Sequence, residues 1–379
     1  MSINHWVLSS NKQGFSNVGF GKLSCLSSLS LLIGLVSCAQ PVNDTAENTA
    51  TAVELPQVVA TTSVLCDLTQ QIAQDTVALT CLMEPGQDPH TYAATPSDRR
   101  AIDAADLVLY DGYGATPNLI AMVEASTNSA PKIAVYEVAV PTPLMAAPHD
   151  HDHAKEHGEE SHDEETHGGH EDHGHEDHEA HGHTEEVHDN EELVADPHIW
   201  HSAPNNSKIA EIISTQLQQV NPDQTDLYAQ NVEQLSSQFA ELHSWIETQV
   251  ATIPANSRKL VTTHEAFNYF ADAYGFEVEG ALSGVTTEES TSASQVAALV
   301  DEIKTLEVPA IFAETTSNTQ LIETLAKNAD VKVADNSLFV EGPGGPGTRA
   351  ETMQAMLIAN TCTVVNALGG DCAETNAPL

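Results

Sequence analysis

The chain has 379 residues, 41% hydrophobic and 5% aromatic, with 13 basic against 55 acidic side chains and a formal charge of −42. That length and apolar content suffice for two ordinary domains with their own cores and exclude a small scaffold held by staples alone. The charge excludes nucleic acid and anionic lipid surfaces as partners, and a field of that sign attracts cations.

Taken in chain order, residues 1–37 read as a secretory signal. Lys12 and Lys22 precede the apolar run Leu26–Val36, which is too short for a permanent membrane span, and Leu35-Val36-Ser37-Cys38 resembles a lipoprotein cleavage site. Cys38 is then the lipidated first residue, with a plain signal peptide as the alternative. Residues 38–54 lack apolar periodicity and suit a flexible tether. Four cysteines remain, Cys66, Cys81, Cys362 and Cys372. An even number in an exported chain favours two disulfides among three possible connectivities, and sequence proximity favours Cys66–Cys81 with Cys362–Cys372.

From Leu55 onward, β-rich runs alternate with helical patterns: strands at 58–62, 77–83 and 107–110, and helices from about Val64, Pro96 and Asn118. Thr95 caps a helix with Pro96 in its first turn. The pattern returns after Pro254, with strands at 259–263, 277–282, 310–313 and 331–334. Alternation of this kind predicts parallel sheets with crossover helices. Between the halves, Leu227, Val232, Leu235, Phe239, Leu242, Ile246 and Val250 recur at helical steps and predict one long helix, roughly 45 Å at about 1.5 Å per residue. The expected fold is α/β: two (βα)n lobes with parallel sheets, at 55–221 and 254–379, joined by a spine helix at 222–253, with a cleft between them.

An insertion at 148–192 interrupts the first lobe. From His149 to His188 it holds 13 histidines and 15 acids in 40 positions. Its composition predicts a disordered loop that binds several metal ions weakly through His149, His151, His153, His157, His162, His167, His170, His173, His175, His178, His181, His183 and His188.

Outside the insertion, Asp88-Pro89-His90 follows a strand and precedes a helix, and Asp196-Pro197-His198 repeats the unit before another helix. Proline fixes the approach to each histidine, and the aspartate is placed to orient the ring. His264 stands where a strand gives way to a helix, and Glu341 ends a strand before a glycine-rich turn. His201 reads as a partly exposed helix residue, with a spare ligand as the alternative, His243 as a solvent-facing position on the spine, and Glu314 as a holder of backbone or of a histidine.

These segments resemble the zinc and manganese solute-binding proteins of ABC importers, also called cluster A-I or family 9. The resemblance spans about 55–369. It rests on Pro85-Gly86-x-Asp88-Pro89-His90-x-Tyr92 with Pro96-Ser97-Asp98, Asp196-Pro197-His198-x-Trp200, His264-x-x-Phe267-x-Tyr269-Phe270 with Tyr274-Gly275, and Phe312-x-Glu314. It implies that His90, His198 and His264 are metal ligands. The family's fourth ligand is commonly an aspartate, and spacing to the following helix puts Glu341 there, with Asp335 as the alternative. Manganese-binding members tend to carry a carboxylate at the His264 position, so three imidazoles and one carboxylate favour Zn2+. The implied protein is a monomeric, lipid-anchored extracytoplasmic subunit that captures zinc and delivers it to a membrane permease. A zinc hydrolase is the rival reading. It lacks His-Glu-x-x-His and Gly-x-Ser-x-Gly motifs, and the chain is therefore not expected to be an enzyme. A lipid-anchored metal buffer or adhesin is the second rival.

Overall fold

Two four-strand arrangements of the same topology carry the molecule. A computed structural model describes residues 54–146, 193–283, 287 and 293–378. Cys38 and the thirteen insertion histidines lie outside the described residues. In the first lobe, β1 (Gln57–Ala60), α1 (Ser63–Ala73), β2 (Ala78–Cys81), α2 (Pro96–Ala104), β3 (Leu107–Tyr110) and α3 (Pro117–Glu124) alternate as the sequence predicts, and β4 (Lys132–Ala134) and the short α4 (Val135–Ala139), which the sequence reading does not include, follow them. The strands form one parallel sheet in the order β2-β1-β3-β4. Thr95 caps α2 with a capping box, its hydroxyl meeting the Asp98 N–H while the Asp98 carboxylate accepts from the Thr95 N–H. The antiparallel pair β5 (Met145–Ala146) and β6 (Val194–Ala195) joins the described chain on either side of the insertion.

A turn of 3₁₀ helix at Ile199–His201 leads into α5 (Ala203–Val220), which packs along α6 (Thr225–Val250). α6 is the predicted spine. It also packs against α1 of the first lobe and α10 of the second, through a shared core that includes Tyr228, Leu235, Phe239, Leu242 and Ile246. The second lobe runs β7 (Lys259–His264), α7 (Asn268–Tyr274), β8 (Glu277–Ser283), α8 (Ala293–Leu306), β9 (Ala310–Ile311), α9 (Thr319–Ala329), β10 (Lys332–Val333) and α10 (Met353–Ala367). β7 pairs with β8 and β9 with β10, all parallel, and the Phe312 N–H donates to Val261 O at 3.0 Å to join β9 to β7. The order is again 2-1-3-4 by strand rank. A separate core of Val261, Leu299, Ile303, Ile311, Ile322 and Leu325 lies under α8 and α9.

Both predicted disulfides are present, Cys66–Cys81 linking α1 to the end of β2, and Cys362–Cys372 tying α10 to the chain beyond it. Among the described residues no helix is long and apolar enough to cross a membrane.

Candidate metal centre

Each histidine of interest is held by its local backbone before it meets the others. In both Asp-Pro-His units the aspartate Oδ1 accepts the histidine's own backbone N–H at 2.9 Å, two residues on. This is an Asx turn, stiffened by the proline between. The repeated tripeptide thus folds the same way twice. Asp196 does more: its Oδ1 also lies 2.8 Å from His198 Nδ1, which directs Nε2 into the cleft. Asn268 and Tyr269, just beyond His264, reach across to Asp196 Oδ2 and Asp196 O at 3.1 and 3.3 Å.

His264 ends β7, and Glu314, just beyond β9, is its support. Glu314 Oε1 accepts the backbone N–H groups of Thr263 and His264 at 2.9 and 3.1 Å, and its Oε2 lies 2.7 Å from His264 Nδ1. Glu314 is therefore the holder that its strand-end position suggests.

The Nε2 atoms of His90 and His264 lie 3.3 and 3.4 Å from His198 Nε2. Glu341 closes the cluster, Oε1 at 3.4 Å from His264 Nε2 and Oε2 at 3.9 Å from His90 Nε2. One ligand atom from each of the four residues falls within 4.8 Å of all the others, and all four side chains are buried. Ring nitrogens this close, converging with a carboxylate, are arranged for a shared cation. Asp335, the other candidate for the fourth position, is exposed and lines a separate hollow with Lys332 and Asn366.

Burial and the neighbouring charges set the protonation. Burial pulls the His264 imidazole down, but the charge of Glu314 and its hydrogen bond outweigh this and lift it to about 9. Burial and the adjacent His264 hold His198 well below the ordinary histidine range. Burial raises the Glu341 carboxyl to about 8 and the Asp196 carboxyl to about 6. A cation entering this cleft would have to displace protons from His264 and Glu341.

Two surrounding histidines differ from the sequence reading. His201 is fully buried, not partly exposed, because the 3₁₀ turn points it inward onto the Phe267 ring, 4.4 Å between centroids. Burial drives its pKa down to about 3, so it packs as a neutral aromatic. His243 is half-buried rather than solvent-facing, 3.4 Å from the Tyr274 hydroxyl. Trp200, to which the sequence gives no role beyond its place in the Asp196-Pro197-His198-x-Trp200 motif, donates its indole N–H to Val340 O at 2.9 Å beside Glu341. Only its place two residues after His198 hints at a role.

Comparison with known proteins places these features in a family. Residues 58–367 match the model of the zinc-uptake complex component A, periplasmic. The chain is 29% identical over 347 residues to the manganese-binding lipoprotein MntA of Halalkalibacterium halodurans, covering 92% of this chain and 99% of that protein. It is 25% identical over 352 residues to the metal ABC transporter substrate-binding lipoprotein SloC of Streptococcus mutans, covering 91% and 97%. The solved structure of the periplasmic zinc-binding protein TroA of Treponema pallidum superposes with a TM-score of 0.67 at 29% identity, over 83% of this chain and 99% of that one.

Proposed function

The chain belongs to the zinc-uptake complex component A family, and from that premise we propose that it captures Zn2+ in the cleft through His90, His198, His264 and Glu341. Members of the family are substrate-binding subunits of ABC metal importers and not enzymes. The observation that carries the zinc reading is the donor set: three imidazole nitrogens and one carboxylate, buried and within 4.8 Å of one another. Nitrogen-rich four-donor sites suit Zn2+ better than Mn2+, which prefers oxygen. Glu314 and Asp196 add to this by orienting two of the rings and strengthening them as donors. The ion is cargo, so its site must also release it, and the protein hands it to a membrane permease. Cys38 anchors the chain to a bacterial membrane on the extracytoplasmic side, and the insertion histidines collect zinc weakly near its point of capture.

Manganese is the second reading, favoured by the names of relatives such as MntA. Competition titration of the purified protein with both ions separates the two. Zinc is expected to displace bound manganese completely at equal concentration, and preference for manganese would overturn the zinc assignment while leaving the importer role intact.

A further inference from the structure

The backbone that carries Glu341 changes allegiance one residue before the carboxylate. Up to Phe339 it belongs to the second lobe. The Leu338 N–H donates to Ala313 O at 2.8 Å, Leu338 O accepts from the Thr315 N–H at 2.9 Å, and the Asn360 amide brackets Phe339 at 2.9 and 2.6 Å. At Val340 and Glu341 its partners lie in the first lobe. Val340 O accepts from Trp200 Nε1 at 2.9 Å, and Glu341 O accepts from Ser63 Oγ at 3.3 Å, at the start of α1. Gly342 follows at φ +125°, where an added Cβ would strike Ser63 Oγ and come within 3.0 Å of Val64 Cγ2. That close approach, together with a left-handed backbone, requires glycine.

The Glu341 carboxylate itself accepts no hydrogen bond from a described residue, although its side chain is 2% exposed. His198 and His264 each have an acid that aims the ring. Glu341 has none, so its aim toward the imidazoles is set by where its backbone is pinned. Trp200 is well suited to that task. It is 2% exposed, wedged against Tyr136 and His198 at 5.5 and 5.2 Å between centroids, and so joins the Glu341 backbone to a neighbouring histidine of the cluster.

We propose that Trp200 and Ser63 are positioning residues that fix the Glu341 carboxylate against the three imidazoles from the first lobe, and so determine how strongly the fourth ligand binds the cation. This rests on Glu341 being a ligand. The expected loss for each is that of one hydrogen bond acting through the carboxylate, about 3- to 10-fold in zinc affinity.

The test is a double-mutant cycle on the full chain. Zinc is measured in competition with a high-affinity chelator so that only the tightest site fills. Trp200→Phe keeps the ring packing and deletes the donor; Ser63→Ala deletes the other. Each is expected to weaken zinc by that factor in the parent and to have no further effect in a Glu341→Ala background. Equal losses in both backgrounds would mean a general structural role and overturn the proposal, as would unchanged affinity in the parent. If Trp200→Phe does not fold, Ser63→Ala carries the cycle alone. Should Glu341→Ala itself bind zinc like the parent, the ligand assignment falls and the inference with it, an outcome distinct from additivity.

Discussion

The ends of β1 and β7 occupy equivalent places in their lobes and do different work. The Thr61 N–H donates to Leu109 O, and the Phe312 N–H donates to Val261 O, so the two sheets share a register in which Leu109 matches Phe312. Two residues further on in each lobe stands a buried acid, Asp111 in the first and Glu314 in the second. Asp111 accepts from the hydroxyls of Thr61 and Thr116 at 2.9 and 2.6 Å and from the Thr116 N–H at 2.9 Å. Glu314 accepts from Thr263 N–H, His264 N–H and the His264 ring. The register places Thr62 where the other lobe has His264, and Thr62 caps α1. The topology supplies a buried acid at this corner in both lobes. The residue facing it decides whether that acid ties down a loop or aims a ligand.

The largest expected effect comes from removing the element found on one side only. A four-ligand zinc site is worth about 10–16 kcal/mol near neutral pH. Losing roughly a quarter of that raises Kd on the order of 100- to 1,000-fold. His264→Ala, and equally His90→Ala or His198→Ala, should therefore abolish the tight site in a chelator-competition titration. Retention of tight zinc by His264→Ala would break the comparison at its centre.

Next in size is the acid behind the ligand. Glu314→Gln leaves the shape but removes the charge that makes His264 a strong donor, and supports of this kind are typically worth about 10- to 100-fold in metal affinity. The same titration measures it. A loss as large as that of His264→Ala would mean Glu314 binds the cation directly.

The pH dependence follows from the same asymmetry. His264 is raised from 6.5 to about 9 by Glu314 overcoming burial, and Glu341 from 4.5 to about 8 by burial. For each group the folded pKa lies above the unfolded one, so its contribution to the metal-free fold is complete below the unfolded value. That contribution is lost as pH rises through about 8 for Glu341 and about 9 for His264. The melting temperature of metal-free protein should fall between pH 7 and 9. Zinc affinity should climb over the same span, because binding displaces about two protons while both groups are protonated. Calorimetry in buffers of different ionisation enthalpy counts those protons, and a count near zero would mean neither group meets the ion.

Much of this was legible in the sequence for physical reasons. Parallel sheets with crossover helices follow from alternating strand and helix periods, whereas the 2-1-3-4 strand order does not, and the two Asp-Pro-His units mark their histidines because proline and aspartate act locally. Glu314 was readable as a holder from its strand-end position. His201 was misread because a single 3₁₀ turn carries no periodicity from which to read burial. The clasp of Trp200 on Val340 joins residues 140 apart, and Asp111 sits in Tyr110-Asp111-Gly112 with no local signature of its partners. Contacts at that separation depend on how the lobes pack, which single-segment patterns do not encode.

Asp111→Ala should have the smallest effect on the metal and thereby decides whether the two corners differ as described. Its carboxylate touches Thr61 and Thr116, and burial raises its pKa against the pull of those hydrogen bonds. Truncation leaves buried donors unsatisfied at a cost of about 1–3 kcal/mol each, so the melting temperature should drop clearly. The effect on zinc should stay small because Asp111 reaches the cluster only indirectly: Thr61 precedes the cap Thr62, whose hydroxyl lies 3.3 Å from the Leu65 N–H and 3.2 Å from the Tyr136 hydroxyl. Titrating the folded variant at a temperature well below its midpoint separates the two readouts. If zinc affinity fell as far as in Glu314→Gln while the fold stayed intact, the acid of the first lobe would also be aiming a ligand, and the division of labour between the two corners would have to be given up.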